Sequence, residues 1–197
     1  MTSRLRTLLP AGLLVAGLLV APSTVEAQAL GIHGGVTAHQ FSIETAAPPT
    51  QSLWGGAGGI FVLLGEGVFG GIVEANWVRK GTKFDGGSEV RLDYLEIPLA
   101  ARLVFGSGQD LSLHALFGGT LAFKLKASQS GIPAFEDLDE DVDTFDHGAL
   151  LGAGLEYRNL IASGRYVWGT RDISARSIEA YNRGFTFLVG YKLLGGQ

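Results

Sequence analysis

The chain reads as an all-β protein, an eight-stranded antiparallel up-and-down transmembrane β-barrel, and three observations carry that reading. From Leu111 to Leu125 the residues alternate: Leu111, Leu113, Ala115, Phe117, Gly119, Leu121, Phe123 and Leu125 take one face. Ser112, His114, Leu116, Gly118, Thr120, Ala122 and Lys124 take the other, because successive strand side chains point to opposite sides. A globular strand averages about five or six residues, whereas a tilted membrane-spanning strand needs about 9–11. This segment is long enough to cross a bilayer. The connections between candidate strands also alternate long and short, the pattern of bacterial barrels with short periplasmic turns and long extracellular loops. Finally, beyond residue 27 no apolar run reaches the roughly 20 residues of a membrane helix.

The elements follow in order. The first strand is predicted near Ala29–Gln40, before a Pro-containing loop over 41–52. The second, Leu53–Leu64, turns at Gly65-Glu66-Gly67 into the third, Val68–Arg79. A polar loop over 80–91 leads to the fourth, Leu92–Phe105, and a tight turn over 106–110 to the fifth, Leu111–Lys126. The long acidic loop 127–146 precedes the sixth, His147–Tyr157. Arg158-Asn159 turns into the seventh, Leu160–Thr170, and a last polar loop over 171–183 leads to the eighth, Gly184–Leu194. Pro98 removes a ladder donor inside the fourth strand, so a bulge is expected there. A soluble lipocalin-type barrel also has eight strands but no reason to lengthen every second connection.

The N-terminus predicts secretion. Arg4 and Arg6 precede a short apolar stretch, Leu8–Ala21, and Val25-Glu26-Ala27 fits a small-x-small cleavage site. Two regions are therefore expected: a signal peptide over 1–27 and a barrel domain over 28–197. The address this implies is the outer membrane of a Gram-negative bacterium. With no Cys, neither disulfides nor a lipoprotein anchor is available. The formal charge is −4; removing residues 1–27, which carry two Arg and one Glu, leaves −5. That acidity, without a basic cluster, excludes nucleic acid as a partner.

The charges decide which face looks inward. Leu95, Ile97, Leu99, Ala101 and Leu103 oppose Tyr94, Glu96, Arg102 and Val104, and the seventh strand sets Tyr166 and Trp168 against Ser163 and Arg165. Arg or Lys against mid-bilayer lipid costs about 2–4 kcal/mol, so Arg102, Lys124 and Arg165 belong in the lumen. An eight-stranded barrel holds only its own side chains there, and inward charges must pair. The turn positions place Glu74 opposite Glu96 and Arg102 opposite His114, with Arg165 or Arg102 as the cation between the carboxylates. Glu74, Glu96, Arg102, His114, Lys124 and Arg165 thus form an expected lumen network that plugs the barrel, with a proton or ion pathway as the alternative. Trp54, Trp77, Tyr94, Tyr157, Tyr166, Trp168 and Tyr191 lie near strand ends or on outward positions, as interfacial aromatics do.

Several stretches resemble the outer membrane protein β-barrel domain family of small, porin-like barrels. Glu74-Ala-Asn-Trp77-Val-Arg-Lys80-Gly81 is similar to its third strand, and Asp93-Tyr94-Leu95-Glu96-Ile97-Pro98 to its most distinctive segment. Asp146–Tyr157 and Arg165-Tyr166 with Asp172-Ile173 resemble its sixth and seventh strands. The resemblance implies an eight-stranded outer-membrane barrel, accommodates Pro98 and brings no catalytic residues. Barrels of this kind usually finish on an aromatic read by the assembly machinery; here the alternation ends at Tyr191 and Leu193.

No catalytic, cofactor or metal residues are expected. Asp137, Asp139 and Asp141 have the spacing of a calcium loop, but Val142 stands where the turn needs Gly. With Glu136, Glu140, Asp143 and Asp146 they make a solvated loop, or one bridged through divalent cations to lipopolysaccharide phosphates. Ser112 and His114 share a strand face about 6.6 Å apart, and no Gly-x-Ser-x-Gly elbow is present. The expected role is structural or surface-interacting, without catalysis. Passive transport of small apolar or ionic solutes through the barrel or a lateral opening is one alternative, and a lipid A-modifying hydrolase is a second. The expected partners are outer-membrane lipids, lipopolysaccharide and the barrel-assembly machinery, for a monomeric chain.

Overall fold

A computed structural model describes residues 27–43, 50–84, 87–106, 110–130, 143–170 and 180–195. The expected signal peptide, up to residue 26, and most of the acidic loop, including Glu136 to Asp141, lie outside the described residues. Eight strands follow one another: β1 Ala27–Ile43, β2 Thr50–Leu64, β3 Phe69–Phe84, β4 Glu89–Phe105, β5 Leu111–Ser130, β6 Phe145–Tyr157, β7 Leu160–Gly169 and β8 Ala180–Gly195. Each pairs antiparallel with the next, and β8 returns to β1, so the sheet closes and no edge is left open.

All eight predicted strands are present, and most run further toward the long loops than the hydrophobic alternation indicated. β3 continues to Phe84 and β4 begins at Glu89, with Lys83 opposite Glu89. The pairing ladder does not require apolar side chains, so it persists as a polar hairpin beyond the greasy band. At the opposite end the turns are tight. Gly65 and Gly67 adopt φ of 76° and 78° between β2 and β3, and Arg158 adopts 54° between β6 and β7. Such left-handed residues match the twist of a short hairpin.

Pro98 does not produce the expected bulge. It pairs in register with Thr120 of β5, and the register shift between β4 and β5 falls at Asp93/Tyr94 instead. On the β3 side the pairs Val73↔Leu99 and Asn76↔Glu96 share one register, with bridges lapsing only opposite Ile97 and Pro98. A missing donor removes a bond; it does not demand an extra residue.

Along each strand buried and exposed residues alternate, as the β4 pattern shows from Val90 to Val104. The exposed set is apolar: Ile32, Val36, Ile60, Leu95, Leu99, Phe117, Leu151, Leu155, Phe185, Phe187 and Val189 all face outward. The buried set mixes apolar clusters with charges. Phe61, Leu63, Ile72, Leu116, Leu150 and Ile161 form the largest cluster, and Phe41, Val90, Leu92, Tyr94 and Ala122 another toward the long loops. This is a water-soluble protein turned inside out.

Candidate functional site

The lumen is the candidate site, because the chemistry-bearing side chains converge there. Among the described residues the buried charges are Lys80, Arg102, Arg165 and Lys192 against Glu74, Glu96, Asp146 and Glu156. They gather in three tiers. Nearest the short turns, Glu156 on β6 accepts from Arg102 on β4 through Oε1 and from Lys192 on β8 through Oε2 at 3.3 Å. His114 Nδ1 stands 3.6 Å from the same carboxylate.

The middle tier is a bidentate fork. Arg165 Nη1 and Nη2 donate to Glu74 Oε2 and Oε1 at 2.7 and 2.9 Å, across the barrel. Asn76 donates to Glu74 at 2.7 Å, His33 Nε2 pairs with Asn76 Oδ1 at 2.6 Å, and Arg165 also donates to Ser163 at 3.1 Å. Parallel N–H···O bonds of this kind are the strongest protein hydrogen bonds and fix geometry as well as energy.

The third tier lies toward the long loops. Lys80 pairs with Glu96, its ammonium 5.4 Å from the Tyr94 ring centroid, and buried Asp146 sits in the field of both. His39, Asn182 and Thr186 make a hydrogen-bonded cluster nearby, with His39 Nδ1 3.1 Å from Asn182 Oδ1. Val78, Ala57 and Leu188 form a small apolar cluster between the middle and upper tiers. Between the lower two tiers one cavity of about 10 Å³, touched by His33, His114 and Arg165, has room for a single water at most.

Inward glycines make space for these side chains. A Cβ on Gly154 would lie 2.5 Å from His114 Nε2 and 2.2 Å from the Ala162 carbonyl, and one on Gly184 would meet the His39 ring at 2.6 Å. Gly154→Ala is therefore expected to cost about 1–3 kcal/mol through displaced neighbours. A lowered denaturant midpoint with unchanged slope would show it; an unchanged midpoint would mean that both the His114 ring and the Ala162 backbone give way without cost.

The predicted pairings need correction. Glu74 does not face Glu96, because the register places Asn76 opposite Glu96. The two carboxylates occupy different tiers and take different cations, Arg165 and Lys80. Arg102 does not face His114 either: it stands opposite Leu116, and His114 opposite Val104. Both meet at Glu156. Lys124 is half-buried on β5 opposite Tyr94, beside the register shift. Lys80, Glu156 and Lys192 were absent from the predicted network. Extending the alternation of β3 one step past Arg79 would have placed Lys80 inside.

On the outer wall Trp54, Trp77 and Trp168 lie toward the long loops, Tyr157 and Tyr191 toward the short turns, all at least 40% exposed. Tyr166 is half-buried, edge-on to Trp168 and Phe185 with centroids 4.4 and 4.7 Å away. Tyr94 is not an interfacial aromatic; it is fully buried in the lumen. Neither ring nitrogen of His114 has a hydrogen-bond partner, so Ser112 is not engaged by it.

The sequence profile of the outer membrane protein beta-barrel domain matches residues 26–175. The chain belongs to that family. Outer-membrane barrels also stand among the solved structures similar to it. Neisserial surface protein A is 12% identical, with 85% of this chain and 99% of that one covered at a TM-score of 0.48. The outer membrane protein OprG of Pseudomonas aeruginosa is 11% identical over 85% and 97%, at 0.49. The outer membrane enzyme PagL is 14% identical over 79% and 97%, at 0.47. No curated protein sequence matches. At such identities only the barrel fold of this outer-membrane family member is in common.

Proposed function

We propose that this chain is an integral outer-membrane protein whose barrel is sealed by its own side chains, serving a structural or surface-interaction role without turnover or solute passage. The single observation that carries the reading is the three-tier ion-pair network filling the lumen. Paired charges in so narrow a space leave no continuous aqueous path. Segment 1–27 directs secretion and is removed near Ala27; the short turns face the periplasm and the long loops the outside. The partners are outer-membrane lipids, lipopolysaccharide and, during insertion, the assembly machinery, for a monomer. No residue set is assigned to catalysis: Glu156 and Glu74 are each held by cations, and His114 has no hydroxyl bonded to it.

Two measurements test the reading together. The chain is expected in the outer-membrane fraction, with a gel mobility that shifts on boiling, and to give no stepwise conductance in planar bilayers. Discrete current steps would mean an open lumen. Recovery in the soluble periplasmic fraction would remove the membrane assignment altogether.

A further inference from the structure

We propose that the outer-wall sector formed by β3, β4 and β5 binds phosphorylated lipid headgroups of the outer leaflet, through Arg79, Lys83, Arg91 and Lys126. The inference rests on the outer-membrane placement proposed above and assigns that placement a contact. It starts from the register. Trp77, Leu95 and Phe123 are aligned across the three strands as an apolar row. Two residues further toward the long loops on β3 and β4, and three on β5 because of the register shift at Asp93/Tyr94, the outward row is Arg79, Asp93 and Lys126. At about 3.3 Å per residue these rows stand roughly 7 Å apart. Hydrocarbon-facing wall thus gives way to cationic wall in a single step, where tryptophans mark the edge of a bilayer. The Arg79 guanidinium carbon itself lies 5.3 Å from the Trp77 ring centroid.

Arg91 and Lys83 extend the patch upward. The side chains of Arg79, Lys83 and Arg91 are 38%, 45% and 48% exposed, and Lys126 is exposed. Two carboxylates hold the patch in shape. Asp93 accepts from Arg79 Nε and Nη2 at 2.7 and 2.9 Å; Glu89 takes Arg91 Nη2 at 2.6 Å, with Lys83 at 3.8 Å. Arg79 thereby commits two of its five N–H donors to carboxylate and Arg91 one. The remaining donors, with four cations against two anions, suit the several acceptor oxygens of a phosphate. The opposite wall lacks this feature: among the described residues of β1, β2, β6, β7 and β8, Arg183 is the lone outward-facing cation toward the long loops. A membrane-borne phosphate fits better than a free one, because its acyl chains would lie on Trp77, Leu95 and Phe123.

The test uses the full chain in neutral detergent micelles, with bisphosphorylated lipid A, phosphatidylcholine or inorganic phosphate added and bound lipid read by native mass spectrometry. Lipid A adducts are expected on the native chain. Their loss by at least about tenfold is expected in Arg79→Gln/Arg91→Gln/Lys126→Gln, while the boiling-dependent gel shift persists. Lys83→Glu/Lys126→Glu, which leaves the Arg79–Asp93 fork intact, is expected to lose adducts too and serves if the triple variant misfolds. Equal lipid A retention by either folded variant overturns the proposal. So does an equal loss in Arg158→Gln/Arg183→Gln, or displacement of lipid A by an equal concentration of inorganic phosphate. A native chain without a boiling-dependent shift would instead sink the membrane placement, which separates the two failures.

Discussion

Arg165→Leu is expected to destabilise the barrel by about 3–5 kcal/mol, because it strands the Glu74 carboxylate in a site with no other Lys or Arg beside it among the described residues. Glu74 is 2% exposed, and its remaining polar neighbours are Asn76, which donates to it, and His33, whose Nε2 stands 3.9 Å away. The double variant Glu74→Leu/Arg165→Leu is expected to recover most of that loss. Removing both partners deletes the desolvation cost along with the attraction, and two aliphatic side chains pack against neighbouring Leu116 and Ile161. Urea unfolding in lipid vesicles, followed by tryptophan fluorescence, measures both variants. A single variant as stable as the native chain would mean that water reaches Glu74 and that the middle tier is not sealed.

An arginine at position 151 tests the other face. Leu151 sits at the centre of β6, 55% exposed, between Phe117 and Tyr166. Leu151→Arg is expected to cost about 2–4 kcal/mol in vesicles, and Tyr157→Arg, at the short-turn rim of the same strand, about 0–1 kcal/mol. The same unfolding experiment reads the gradient between them. Equal costs at the two positions would mean that the wall does not face hydrocarbon, and the outward assignment of the apolar residues would fail with it.

The two experiments probe different levels of legibility. The outward wall could be read from Leu111–Leu125 or Leu95–Leu103 alone, since period-two alternation needs only the local geometry of a strand. The inward charges could be assigned to the lumen by the same rule plus the cost of exposing Arg102 or Arg165 to lipid. Their partners could not. Glu74 meets Arg165 across 91 residues, and Arg102 meets Glu156 across 54. Both pairings depend on shear and on which side chains reach the barrel axis. A two-residue error in counting round a loop was enough to set Glu74 against Glu96. Lys80 was missed for a related reason, because the apolar pattern fades at the rim while the hydrogen-bond ladder continues.

Pro98 shows the limit from the other direction. Its missing donor was legible, but the consequence was not, because the sheet absorbs the loss by skipping bridges to β3 at constant register.

Taken by itself, the order of residues determined the long alternating strands, their count and the sense of their two faces. These follow from alternation, strand length and loop length, all of which are properties of neighbouring positions. Closure of β8 onto β1, the three-tier pairing in the lumen and the placement of Arg79 beside Asp93 and Lys126 were decided only in three dimensions. The closure and the lumen pairs join residues far apart in the chain through shear and cross-lumen distance, and the outer row depends on the register shift between β4 and β5; no local pattern encodes either.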